Sequence, residues 1–261
     1  MRRYMKTLKL FWSASMQAEM EYRMNFVLAA LNSVGTVASG LFGLYLFYRK
    51  DPNALGGWSQ YEALTVLGLF TILQGVTRSL LNPNLTRIVQ YVFDGTLDFV
   101  LLKPLDSQFW LSLRNVAPWG IPDVILGCAL LVYAGVHMDV GPWQYLWGIV
   151  PVVLAVVVLY SLWFVFAGLS IWYVKVWNAT EVLRGLLEAG RFPIDAFPLG
   201  VGVFFKFVVP VAFMTTIPAQ AIMGKAGANW IVAEFAIALG LFLFSRYFWR
   251  YALKYYTSAS S

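Results

Sequence analysis

The chain has 261 residues, 60% of them hydrophobic and 12% charged, with a formal net charge of +6. A soluble domain carries about 25% charged residues, and a larger core cannot absorb the difference, because a water-facing surface still needs polar cover. The composition excludes an ordinary soluble enzyme and points to an all-α, polytopic membrane protein, each span needing roughly 20 mostly apolar residues.

At the amino terminus, Tyr4, Met5, Leu8, Phe11, Trp12 and Met16 fall on one side of a helix, with Ser15 a small polar exception. Arg2, Lys6, Lys9, Ser13 and Gln17 fall largely on the other. This pattern predicts a basic amphipathic helix over residues 1–23, lying in the membrane interface or packed on the rest of the protein. The apolar run that follows is longer than the core of a cleaved signal peptide.

Six spans are predicted. The first covers 24–48 and ends at Arg49, Lys50 and Asp51, before a turn-rich loop over 52–60. The second covers 63–81, with Arg78 near its exit, and Asn82-Pro83-Asn84 closes it. The third covers 116–136 and carries Asp123; a short turn over 139–142 leads to the fourth, 145–173. The fifth covers 201–223 and is interrupted by Pro210 and Pro218; the sixth covers 229–248, with a tail from 250. The longest stretches between spans are 82–115 and 175–198, neither able to bury a core of its own. No internal repeat occurs, and residues 1–261 read as one transmembrane domain.

Charge sets the orientation. With the amino terminus inside, only Arg49, Lys50 and Lys225 fall outside, and Lys206 sits in span five toward the inside. That bias places both termini, and both long loops, in the cytoplasm. The positive charge is read as orientation and not as nucleic-acid binding.

The loop over 84–106 is the most informative stretch. Asn84 reads as the cap of a short helix with apolar Ile88, Val89 and Val92, and Asp94-Gly95 as a turn. An apolar segment from Leu97 to Leu102 bears one acid, Asp98, and Lys103-Pro104 stops it. Its apolar surface requires cover from the bundle, the membrane or a partner. Three charges fall within spans, Asp123, Lys206 and Glu234, each costing about 2.5–3.5 kcal/mol near mid-span. They line a polar pathway or gate, or they are structural pairs and snorkelling side chains. Pro210 and Pro218 each remove a backbone N–H, which lipid tolerates only against protein or a wet cavity. With Gly224 beyond them, they predict a helix that breaks and re-enters near the outer face, or a simple kink.

Several chemistries are missing. No phosphate-binding loop occurs, so any ATP hydrolysis belongs to another chain. No metalloprotease, hydrolase or paired-cysteine motif is present. One cysteine, Cys128, and one histidine, His137, are too few for a clustered His/Cys metal site. Three function classes remain: an ATP-driven permease without catalytic residues; an ion- or proton-coupled transporter or channel using Glu234, Asp123 and Lys206; and a membrane transferase. The second lacks the inverted repeat common in its class, and the third lacks a compact set of acids or histidines.

The ordered set of motifs resembles the ABC-2-type exporter permeases, in a bacterial six-helix branch. It consists of Glu21-Tyr22-Arg23; Asp94-Gly95-Thr96-Leu97-Asp98 with Leu101-Leu102-Lys103-Pro104-Leu105; Arg191-Phe192-Pro193 with Phe197-Pro198; and Val209-Pro210-Val211-Ala212-Phe213 with Ile217-Pro218-Ala219. The resemblance implies that Asp94, Gly95, Asp98, Leu101, Leu102, Lys103 and Pro104 form a coupling helix that docks on an ATPase. It implies that the amino-terminal helix touches the same partner and that the segment after span five is an outward-facing re-entrant gate. Two permease chains, identical or homologous, would join two ATPase subunits. The ATPases would bind ATP and Mg, this chain holding no cofactor or metal. The expected setting is the lipid bilayer of a bacterial inner (plasma) membrane. The expected action is alternating access, moving a hydrophobic or amphipathic substrate.

Overall fold

A computed structural model describes residues 2–21, 23–51, 54–173 and 177–257. Tyr22, Lys175 and the end of the tail lie outside the described residues. Among those described, every regular element is helical. Five helices are long and apolar enough to cross a membrane, and a bent pair brings the number to 6. The chain is a multi-pass membrane protein.

Helix α1 (Arg2–Met20) precedes α2 (Arg23–Lys50), the first span. The second span is longer than its sequence implies. Helix α3 (Gln60–Val76) begins with Ser59 and Glu62 capping each other's backbone N–H groups. It runs through a π-helical turn, Thr77–Leu81, directly into α4 (Asn82–Phe93). Asn82-Pro83-Asn84 therefore does not close the span, and Asn84 sits inside the helix rather than capping one. The carbonyls near Pro83 find other donors: Ser79 O accepts from Ala117 N at 2.9 Å and Leu80 O from Asn84 Nδ2 at 2.6 Å. With those groups satisfied, the proline no longer terminates the helix.

After α4 come the short α5 (Asp98–Leu101) and α6 (Ser107–Leu113), then α7 (Ile121–His137) and α8 (Pro142–Gly168). Helices α3 and α7 pack with their backbones nearly touching. A Cβ on Gly75 would lie 2.6 Å from the Gly120 carbonyl oxygen, and one on Gly127 would lie 2.7 Å from that of Gly68. Small residues allow this approach, which packing between membrane helices favours.

The stretch expected as a second cytoplasmic loop, 175–198, starts at the α4 end but does not stay there. Helix α9 (Trp177–Leu187) and the residues after it climb along α3. Arg184 donates to Asn82, Gln74 donates to Glu188 at 3.2 Å, and the Arg191 guanidinium lies 5.5 Å from the Phe70 ring centre. The Asp195 carbonyl oxygen then abuts Gly56, in the connection between α2 and α3 (2.7 Å to a built Cβ). Only glycine suits Gly56, whose φ is +67°. The fifth crossing is thus composite. From there α10 (Leu199–Val203), a π turn to Val208, a break at Val209-Pro210 and α11 (Thr216–Ile222), bent by 68°, bring the chain back to the same end, where Lys225 meets Glu62. Helix α12 (Ala228–Ala252) returns along α8.

Candidate functional site

The segment between α4 and α6 is built on two faces. Gly95, at φ +65°, turns the chain out of α4, and the Thr96 and Leu97 N–H groups both reach the Tyr91 carbonyl. Leu97 and Val100 are then buried at 0% and 2% exposure in the main core, beside Leu85, Ile88 and Trp110. Phe99 and Leu102 face outward at 68% and 81% exposure, with Phe93 and Leu101 also exposed. Asp94 caps α4 by backbone, and Asp98 opens α5. Lys103 lies 5.5 Å from the Trp110 ring centre, and Pro104 follows it at the exit.

The element is also tied to distant spans. Asp106 accepts from Phe109 N at 3.0 Å, starting α6, and pairs with Arg246 of α12 at 2.9 Å. Trp249 donates to Ser107 at 3.0 Å, and Gln108 donates to Tyr160 of α8 at 3.0 Å. The tail joins too: Tyr256 packs on the same core, where burial, and then the nearby Asp98 charge, hold its phenol above the ordinary value. Helix α1 runs beside the segment from α6 to α7. Trp12 donates to Leu113 O at 3.0 Å, Glu19 accepts from Trp119 at 3.0 Å, and Ser15 engages Val116 at both N–H and C=O.

The intramembrane charges fall in separate places. Asp123 is buried and pairs with Arg78 at 3.0 Å; Arg78 also donates to Asn32 at 2.8 Å, so three spans meet at one guanidinium. Lys206 pairs with Asp195 at 2.7 Å. Asp195 adjoins the α2–α3 connection, so Lys206 lies toward that end, which the chain has reached through α9 and the residues after it. Glu234 is fully buried, and both its carboxyl oxygens lack a hydrogen-bond partner among the described residues.

In the segment from α10 to α11, the break falls at Pro210 alone. Pro218 sits in the first turn of α11, where an N–H has no intrahelical acceptor to lose. Residues from Val211 to Ile217 are almost wholly buried, which satisfies the rule that irregular backbone inside a bilayer be covered by protein. Gly224, at φ +69°, ends α11: Lys225 N donates to Gln220 O at 2.8 Å and Gly224 N to Ala221 O at 3.0 Å, a Schellman closure. Lys225 then pairs with Glu62 at the start of α3.

Sequence reasoning misses one feature. A cavity of about 230 Å³ lies between α3, α8, α9 and the residues after the break. Arg78, Arg184, Glu188, Trp163 and Thr215 line it. The available signal was paired charge at helical spacing, Glu181 with Arg184 and Glu188 with Arg191. Among the described residues no three of His, Cys, Asp and Glu come together to hold a metal ion.

No curated protein and no solved structure matches the chain. A family model described as "ABC-2 family transporter protein" matches residues 34–260. That range takes in five of the six crossings whole, most of the first, and the segment between α4 and α6. On that match the chain belongs to the ABC-2 transporter family, as its membrane-spanning transport component.

Proposed function

We propose that this chain is the permease subunit of an ATP-driven exporter and that a separate ATPase docks on α5. The observation that carries this reading is the two-faced element. Leu97 and Val100 lock it to the core while Phe99, Leu101 and Leu102 stay uncovered. A patch so fixed can receive force from a partner and pass it on. The path runs through Asp106–Arg246 and Ser107–Trp249 to α12 and through Gln108–Tyr160 to α8. Two ATPase subunits, binding ATP and Mg, close on each other and move two such elements, and the space between two permease chains turns outward. The second permease is identical or homologous. The membrane is a bacterial plasma membrane with both termini cytoplasmic, where the basic residues of α1 lie.

The charge geometry favours this over an ion-coupled transporter. Asp123 is held by Arg78 and Lys206 by Asp195, and Glu234 contacts neither pair, so the three acids and bases string no common path.

The test is purification in mild detergent from native membranes, with mass identification of stoichiometric companions. An ATPase with a phosphate-loop motif is expected beside the chain. Leu102→Asp, placing an unpaired charge in an apolar contact, should lose that companion at least tenfold while melting as the wild type does. A folded Leu102→Asp variant that keeps its ATPase would remove the docking assignment. Flux through the chain alone without ATP would favour the ion-coupled class.

A further inference from the structure

The cavity between α3, α8, α9 and the post-break residues has a chemistry that docking does not use. Its polar end holds Arg78, Asn82 and Arg184; its other walls are Phe70, Leu73, Leu159 and Met214. The Arg184 guanidinium lies 5.1 Å from the Trp163 ring centre, fixed there while it donates to Asn82. Two lining residues, Trp163 and Thr215, are each 1% exposed, and each leaves one polar atom, Nε1 and Oγ1, without a hydrogen-bond partner among the described residues. An unpaired buried donor is costly, and more so inside a bilayer.

The unused capacity is mostly that of donors. An indole N–H and a guanidinium only donate, and each arginine has five N–H groups. Among the described residues Arg78 donates to Asp123, Ser33 and Asn32, and Arg184 to Glu181 and Asn82, which leaves N–H groups on both. The acid in the wall, Glu188, is already held by Arg191 and Gln74. A guest that completes this site is an acceptor, and planar guanidinium forks match carboxylate or phosphate.

We propose that the cavity binds the anionic head of a single-chain amphiphile, a carboxylate or phosphate, with the start of its chain on Phe70, Leu73 and Met214. The volume of about 230 Å³ is below the about 300–1,000 Å³ of pockets that enclose drug-sized ligands, so it takes a head group and part of one chain. Naming this class as the exported substrate rests on the permease reading; the binding does not.

The experiment uses the purified full chain in phosphatidylcholine nanodiscs, without ATP or ATPase, and radiolabelled dodecanoate as probe. Saturable binding is expected, displaced by dodecyl phosphate but by neither dodecyltrimethylammonium nor inorganic phosphate. Arg184→Gln should weaken binding about tenfold, the scale of one charge-assisted hydrogen bond. Its fold should survive, because the acid left behind, Glu181, is 53% exposed at its side chain. Met214→Trp, filling the cavity, should abolish binding, and Arg184→Gln carries the test if that variant does not fold. Absence of saturable binding, equal displacement by the cation, or wild-type affinity in a folded Arg184→Gln overturns the site. Displacement by phosphatidylglycerol in the nanodisc as effective as by dodecyl phosphate assigns the head group to a bilayer lipid and overturns the substrate assignment. A missing ATPase companion, by contrast, overturns the permease reading and leaves these binding results standing.

Discussion

Helices α2 and α3 are neighbours, both apolar and long enough to span, yet they do opposite work. Only 22% of α2's apolar stretch is buried inside the chain, against 61% for the span begun by α3. Helix α2 buries a narrow stripe, Ser33, Val37, Gly40 and Leu44, and turns Leu28, Leu31, Val34 and Phe42 outward. Nearly every residue of α3 from Ala63 to Leu73 is covered. Hydrophobicity drives both into lipid, but it does not hold one helix against another there, since lipid tails are as apolar as leucine. What separates the two is backbone approach at glycines and a few polar contacts, so mutations at those features test the contrast most directly.

The largest effect is expected at Arg78, where α2, α3 and α7 converge. Asp123 is nearly fully buried and Arg78 is its ion-pair partner. Breaking a buried pair by removing one member costs about 3–5 kcal/mol, so Arg78→Gln should sharply lower the thermal midpoint of the purified protein. Arg78→Gln combined with Asp123→Asn should cost less than the two single changes added together, since the contact couples them. Additive costs would mean that the pair does not join the spans.

A smaller but more selective effect separates the two helices. Gly75→Leu places side-chain atoms against the Gly120 carbonyl and Val124 N, backbone that cannot move aside. Overpacking of this kind costs about 1–3 kcal/mol. Gly35→Leu, the same change in α2, has nothing within 4 Å of its Cβ, and it should leave stability unchanged or raise it slightly through helix propensity. Equal losses at the two positions would show that the outer face of α2 is covered by something other than lipid.

The same contrast explains what could be read in advance. Spans one and four are plain in the sequence because lipid selects uncharged runs, and the short segment around α5 is plain because Asp94-Gly95 and Lys103-Pro104 bracket it. The extension through Pro83 is not, because its rescue comes from Ala117, distant in sequence. The climb of residues 177–198 is hidden by Arg184, Glu188, Arg191 and Asp195, which make it look like a loop. Those charges are tolerated beside α3 because acids and bases pair at i, i+3 or with Lys206. Arg78 reads from sequence only as a basic residue at a span's end; its joining of three helices needs coordinates. The cavity is in the same position, since its walls come from four separate elements.

The smallest expected effect concerns α1, which is attached in a third way. It has neither the glycine contacts of α3 nor a stripe buried deep in the bundle like that of α2. Trp12, Ser15 and Glu19, at i, i+3 and i+7, form a polar seam along the segment from Leu113 to Trp119. Ser15 is the position that departs from the apolar pattern of its face, and its hydroxyl both donates to Val116 O at 2.8 Å and accepts from Val116 N at 3.0 Å. Ser15→Ala removes both bonds at once but leaves Trp12 and Glu19 in place, so a loss of about 1 kcal/mol is expected. Such a loss should hardly move the global midpoint. It should instead raise hydrogen exchange of α1 amides in detergent or nanodiscs, because a surface helix held by few contacts opens locally before the bundle does. Unchanged exchange in α1 would mean that the membrane interface, and not this seam, holds the helix in place.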